Sequence, residues 1–115
     1  MNDLNTILKV AYNALDEKKA ENIKVIDISR ISIIADYFII ASGNNPNQLD
    51  ALSDNVERKL GQAGVHPRQT EGPGTGWTLM DYNDIVIHIF SKEDREFYDL
   101  ERIWSDGEEV NILKI

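Results

Sequence analysis

Trp77-Thr-Leu-Met-Asp-Tyr-Asn-Asp-Ile-Val-Ile-His-Ile-Phe90 reads as two strands, 77–82 and 85–90, joined by Asn83-Asp84. Both runs are rich in β-branched and aromatic residues, and a two-residue polar connection suits a tight hairpin turn. That reading sets the register. Tyr82 falls opposite Ile85, Met80 opposite Ile87 and Thr78 opposite Ile89 on one sheet face. Asp81 opposite Val86, Leu79 opposite His88 and Trp77 opposite Phe90 make up the other. The first face is plain core. The second mixes two large aromatics with a carboxylate and an imidazole, a composition typical of an interface centre. The competing reading is that a helix covers this face and leaves Asp81 and His88 at its margin.

Upstream, Leu4, Ile7, Leu8, Ala11 and Leu15 recur at helical spacing, with Asn2 or Asp3 as N-cap and Asn22 as the left-handed stop. Residues 23–28 alternate enough to predict a strand. Residues 37–42 are almost continuously apolar, as expected of a strand buried on both faces. Asn45-Pro46-Asn47-Gln48 places a cap, a proline at the first helical position and a Gln able to reach back. Leu49, Leu52, Val56, Leu60 and Ala63 stripe the helix that follows, and Gly64 ends it. Asp54 and Arg58 form an i,i+4 pair on its outer face.

Residues 66–71 predict a weaker strand, with Pro67 marking an edge or a start. Gly72-Pro73-Gly74-Thr75-Gly76 is a loop. Beyond the hairpin, Ser91 caps a last helix whose apolar side is Phe97, Leu100, Ile103 and Trp104. The acidic tail from 105 to 115 is expected to be loosely held in part. The order is α-β-β-α-β-β-β-α: an α/β (α+β) fold with one layer of helices on a mixed five-stranded sheet.

Composition narrows the function. The 115 residues suit one domain, and 42% hydrophobic content can fill a core. There is no cysteine, which excludes disulfides, thiolate nucleophiles and cysteine-ligated metals. No apolar run is long enough to span a bilayer and Met1-Asn2-Asp3-Leu4 lacks a basic start, so a cytoplasmic location is expected. Twenty acidic residues against 12 basic ones give a net charge of −8. Such a chain repels phosphates and anionic membranes, so little direct nucleic-acid contact and no membrane contact are expected. It attracts a basic protein partner instead, although acidity for solubility alone gives the same balance.

Catalytic and metal-binding readings find little support. The glycines at 72, 74 and 76 open a strand, not a helix, and have no nearby lysine, so they do not resemble a phosphate loop. His66 and His88 lack a second ligand at metal spacing. Asp27, Asp36, Asp81 and Asp84 do not supply the paired Asp-x-Asp of a nucleotidyltransferase. Ser42-Gly43 is a strand-to-helix turn rather than a nucleophile elbow. No enzyme and no cofactor are expected.

Several segments together resemble one family: Asp36–Gly43, Gln48, Asp54–Val56, Glu71-Gly72, Trp77–Asp84, Ile85–Phe90 and Arg95–Trp104. They look like the signatures of the bacterial ribosomal silencing factors, also called Iojap-like proteins. The likeness runs from the first helix to Trp104, and its specificity lies in the order and spacing of the segments. Asn83 departs from the family's usual glycine but tolerates the same positive φ. Ser91 and Asn44-Asn45-Pro46 also differ from the commonest pattern. The resemblance implies a nucleotidyltransferase-like fold without catalysis. It implies binding to the large ribosomal subunit through its fourteenth protein, a steric block to joining with the small subunit, and lowered translation. Carried onto this chain, the binding face is Trp77, Leu79, Asp81 and His88, with Tyr82, Arg95 and Tyr98 as secondary candidates. A ribosome-assembly factor using the same site and a nucleotide-binding or nucleotidyl-transferring enzyme remain as alternatives, and a homodimer of the free protein stays open.

Overall fold

A computed structural model of the chain describes residues 3–115. Helix α1 (Leu4–Glu17) starts at Asp3, whose carboxylate accepts from the Thr6 N–H at 2.8 Å. The alternative cap, Asn2, lies outside the described residues. Strands β1 (Glu21–Asp27) and β2 (Tyr37–Gly43) follow, then α2 (Pro46–Gln62). Strands β3 (Gln69–Glu71), β4 (Trp77–Asp81) and β5 (Ile85–Ser91) lead into two short helices, α3 (Lys92–Tyr98) and α4 (Leu100–Ile103). A last short strand, β6 (Glu108–Glu109), precedes a 3₁₀ turn over Ile112–Lys114.

The sheet runs β3-β4-β5-β2-β1-β6. β2 and β5 are parallel, and every other pairing is antiparallel. This is the expected mixed sheet with a sixth strand added. β2 lies at its centre and is buried along nearly its whole length. Its Ile39 and Ala41 point toward α1 and α2, where Leu8, Leu15, Leu52, Val56 and Leu60 close the main core. Its Phe38 and Ile40 point the other way, into a second cluster with Ile26, Ile28, Val86 and Phe90.

Four features depart from the sequence reading. The left-handed residue that ends α1 is Lys19 (φ 63°); Asn22 (φ 50°) is left-handed too, but inside β1, at the irregular register between Glu21 and Lys24. The last helix is broken at Asp99 (φ 49°), so its apolar residues no longer share one face. Leu100 and Trp104 pack onto the second sheet face, whereas Phe97 and Ile103 are left exposed. The helices therefore form no single layer: α1 and α2 cover one face, and α4 covers part of the other. Over 108–115 the tail lies against the sheet and the main core. β6 pairs with β1, the Val110 N–H donates to Val25 O at 2.7 Å, and Val110, Ile112 and Ile115 pack against the main core.

Arg58 also departs from the i,i+4 pairing with Asp54, reaching instead to Asn55 Oδ1 at 2.6 Å. Among the described residues no helix is long and apolar enough to cross a membrane.

Candidate functional site at the β4–β5 face

The hairpin forms in the expected register, with Trp77 opposite Phe90, Leu79 opposite His88 and Asp81 opposite Val86. Asn83 takes the positive φ (74°) that the turn demands, and its N–H donates to Asp81 Oδ1 at 2.8 Å. Ahead of β4, Gly72 (φ 84°) lets the loop fold tightly: a Cβ there would collide with the Trp77 carbonyl. Thr75 braces the same loop through Gly72 O at 2.7 Å.

Trp77, Leu79 and Asp81 project from β4 onto the second sheet face, and each is half-buried. The Trp77 ring lies over Phe90 at 5.0 Å between centroids and against Tyr98 at 4.7 Å. Tyr98 in turn meets the edge of Phe97 at 5.0 Å. Tyr98 is 41% exposed and Phe97 79%. An aromatic surface thus runs from β4 across the end of α3. At the other end of β4, Arg68 holds Asp81 Oδ2 at 2.6 Å. Burial raises the Asp81 pKa, but the Asn83 N–H and the Arg68 guanidinium more than offset it, keeping the carboxyl below its ordinary range.

The structure does not gather every expected residue on this surface. His88 shares the face but is only 3% exposed, beneath Trp77 and beside Phe38, so it has almost no area to offer a partner. Burial depresses its pKa to about 4, which keeps the ring neutral. Tyr82 is on the opposite face, in the main core with α2, where desolvation and Glu57 raise its pKa. Arg95 is spent inside the molecule: it holds Glu101 at 2.8 Å and Ser42 Oγ at 2.9 Å, tying α3 to α4 and β2. That hydrogen bond, outweighing burial, lowers the Glu101 pKa. Phe97 and Arg68 are the additions that sequence reasoning missed. Phe97 was hidden by a helical stripe that breaks at Asp99. Arg68 could have been found from the register, since it directly precedes Gln69, the residue opposite Asp81.

A depression of about 550 Å³ lies at the carboxyl ends of the parallel pair β2 and β5, lined by Gly43, Pro46, Thr75 and Lys92 among others. Sheets of this kind often bind ligands at such a place. Here the start of α2 is capped from within. Gln48 Oε1 accepts from the Asn44 N–H at 2.6 Å, and Asn45 Oδ1 accepts from the Gln48 N–H at 2.8 Å. Gln48 thus reaches back as expected, one residue beyond the cap. Among the described residues no three His, Asp or Glu side chains form a group that could hold a metal ion.

The whole chain, residues 1–115, matches the family model described as "Ribosomal silencing factor during starvation". The chain belongs to that family. It is 38% identical over 103 residues to the ribosomal silencing factor RsfS of Bacillus subtilis, covering 89% of this chain and 87% of that one. To RsfS of Zymomonas mobilis it is 38% identical over 108 residues, covering 93% and 81%. A crystal structure of a Chromobacterium violaceum protein superposes with a TM-score of 0.88 at 32% identity, covering 96% of this chain and 92% of that one. The family thus confirms the resemblance drawn from the segments, and it places the chain among ribosome-directed regulators of translation.

Proposed function

We propose that this protein docks on the large ribosomal subunit through Trp77, Leu79 and Asp81, with Tyr98 and Phe97 extending the surface. Its partner there is the fourteenth protein of that subunit, and the result is a block to joining with the small subunit. The observation that carries this reading is the aromatic surface itself. Rigid aromatics backed by core and flanked by a fixed carboxylate are what a central binding anchor requires. The net charge of −8 favours approach to a basic ribosomal protein.

The block is steric. The molecule measures 33 × 33 × 26 Å along its principal axes. Contacts between subunits need atoms within hydrogen-bond range. A body this thick on a joining surface therefore excludes the other subunit, and the two compete for one place by mass action.

Sucrose-gradient sedimentation of separated subunits tests the proposal. Added protein should keep them apart, and excess small subunit should reverse the effect. Tight binding to large subunits with normal joining would defeat the steric reading and favour a role in ribosome assembly at the same site.

A further inference from the structure

The indole N–H of Trp77 does not face solvent. Nε1 donates to Nδ1 of His88 at 3.1 Å, across the hairpin from one strand to the next. His88 stands opposite Leu79 on β4 and beside Ile40 on β2. The Phe38 ring meets it edge-on at 4.6 Å, and Phe90 lies parallel to it at 6.2 Å. A neutral imidazole that accepts at Nδ1 must carry its proton on Nε2. Nε2 is buried and has no hydrogen-bond partner.

An imidazole in this position is a poor choice for packing alone. It buries a donor that nothing satisfies, and a buried polar group without a partner destabilises the fold. A phenylalanine or leucine would fill the same space among Phe38, Phe90 and Trp77 without that cost. What His88 supplies and an apolar residue cannot is an acceptor for the Trp77 N–H. With that bond made, the indole is held by a directed contact as well as by the stacking of Phe90 and Tyr98.

We infer that His88 is a positioning residue that locks Trp77 with its N–H turned inward, so that the partner meets a donor-free aromatic face. The inference rests on the reading of Trp77 as a binding anchor. It also specifies the chemistry of the docking point on the partner. An apolar side chain or the stem and charge of an arginine or lysine suits a bare ring face, whereas an acceptor seeking the indole N–H finds none. Fixing the ring before binding also reduces the ordering cost of association.

The test uses the full chain carrying Trp104→Phe, which leaves Trp77 as the sole tryptophan. Two readouts are followed: hydrogen exchange of the Trp77 indole N–H by NMR, and affinity for purified large ribosomal subunits. His88→Asn keeps a carbonyl oxygen near the place of Nδ1 and should preserve both. His88→Phe and His88→Gln should each speed indole exchange and weaken binding, roughly tenfold or more if the lock is worth one good hydrogen bond in a desolvated site. The Asn and Gln variants bury similar polar groups, so their difference does not depend on the stability of the Phe variant. Equal exchange and equal affinity for Asn and Gln would overturn the positioning role. Trp77→Ala separates the two layers of the argument. If it leaves affinity unchanged, the anchor reading fails; if it weakens affinity while the Gln variant binds normally, only the lock fails.

Discussion

Asn55 reaches across from α2 to donate a 2.7 Å hydrogen bond to the carbonyl of Ala14, one of the last four residues of α1. Carbonyls in the final turn of a helix lack a partner within it, and this one is satisfied by a neighbouring helix. Asn55 is only 2% exposed, so the bond is made out of water. Asn55→Ala strands the Ala14 oxygen and removes the acceptor used by Arg58. The expected cost is about 1–3 kcal/mol, read as a lowered urea midpoint at unchanged slope.

Leu52 and Leu60 are both fully buried between α2 and the sheet. Replacing either with alanine removes apolar surface and leaves a cavity that fixed neighbours fill poorly. Each variant should lose about 2–5 kcal/mol in chemical denaturation. Asp54→Ala, on the exposed side of the same helix, should stay within about 0.5 kcal/mol of the parent. Similar losses at all three positions would mean that the helix is oriented differently.

The legible parts of the fold were those set by local chemistry. Asn45-Pro46 announced α2 because capping requires few residues in a fixed order, and the turn at 83–84 set the hairpin register because strand pairing has a period of two. Tyr82 shows the value of that register. The pairing placed it on the core face, in agreement with the structure, while family resemblance drew it into the binding set. Long-range competition decided the illegible parts. Asn22 does take the left-handed conformation that suits a helix stop, but it does so inside β1 where the register shifts, while Lys19 takes it at the helix end. The spacing of Phe97, Leu100, Ile103 and Trp104 suits one helix, but Asp99 breaks it so that Trp104 can reach Phe38 at 5.2 Å. The acidic tail carries little strand signal, and only the free edge of β1 makes β6.

His88 gives stability a pH dependence of defined sign. Its folded pKa is about 4, below the ordinary 6.5, because burial disfavours the charged ring. Above pH 6.5 neither folded nor unfolded chains protonate it, and its contribution is flat. As pH falls from 6.5 toward 4, the unfolded chain takes up the proton and the native one does not, so stability is lost. At pH 5 that loss should be about 2 kcal/mol. Urea midpoints of the parent and of His88→Phe, compared at pH 7 and pH 5, isolate it. Parallel pH trends in the two proteins would show that the histidine does not titrate in this way.

The docking surface makes a graded prediction, because its residues differ in what they can give a partner. Trp77 combines a large ring with firm backing from Phe90 and His88, so Trp77→Ala should weaken binding to large subunits by about 2 kcal/mol or more. Asp81 already serves Arg68 and the Asn83 N–H, which leaves it a charge to offer more than a new hydrogen bond. Asp81→Asn should therefore cost on the order of 1 kcal/mol, mainly by slowing association at low salt. Tyr82 is 8% exposed and its hydroxyl has no partner in the core. Tyr82→Phe should leave binding unchanged and hold or slightly raise stability, because a buried unsatisfied group is removed. Surface plasmon resonance at two salt concentrations, with denaturation controls, ranks the three variants. If Tyr82→Phe weakens binding as much as Trp77→Ala while both remain folded, the partner sits on the other side of the sheet and the assigned face is wrong.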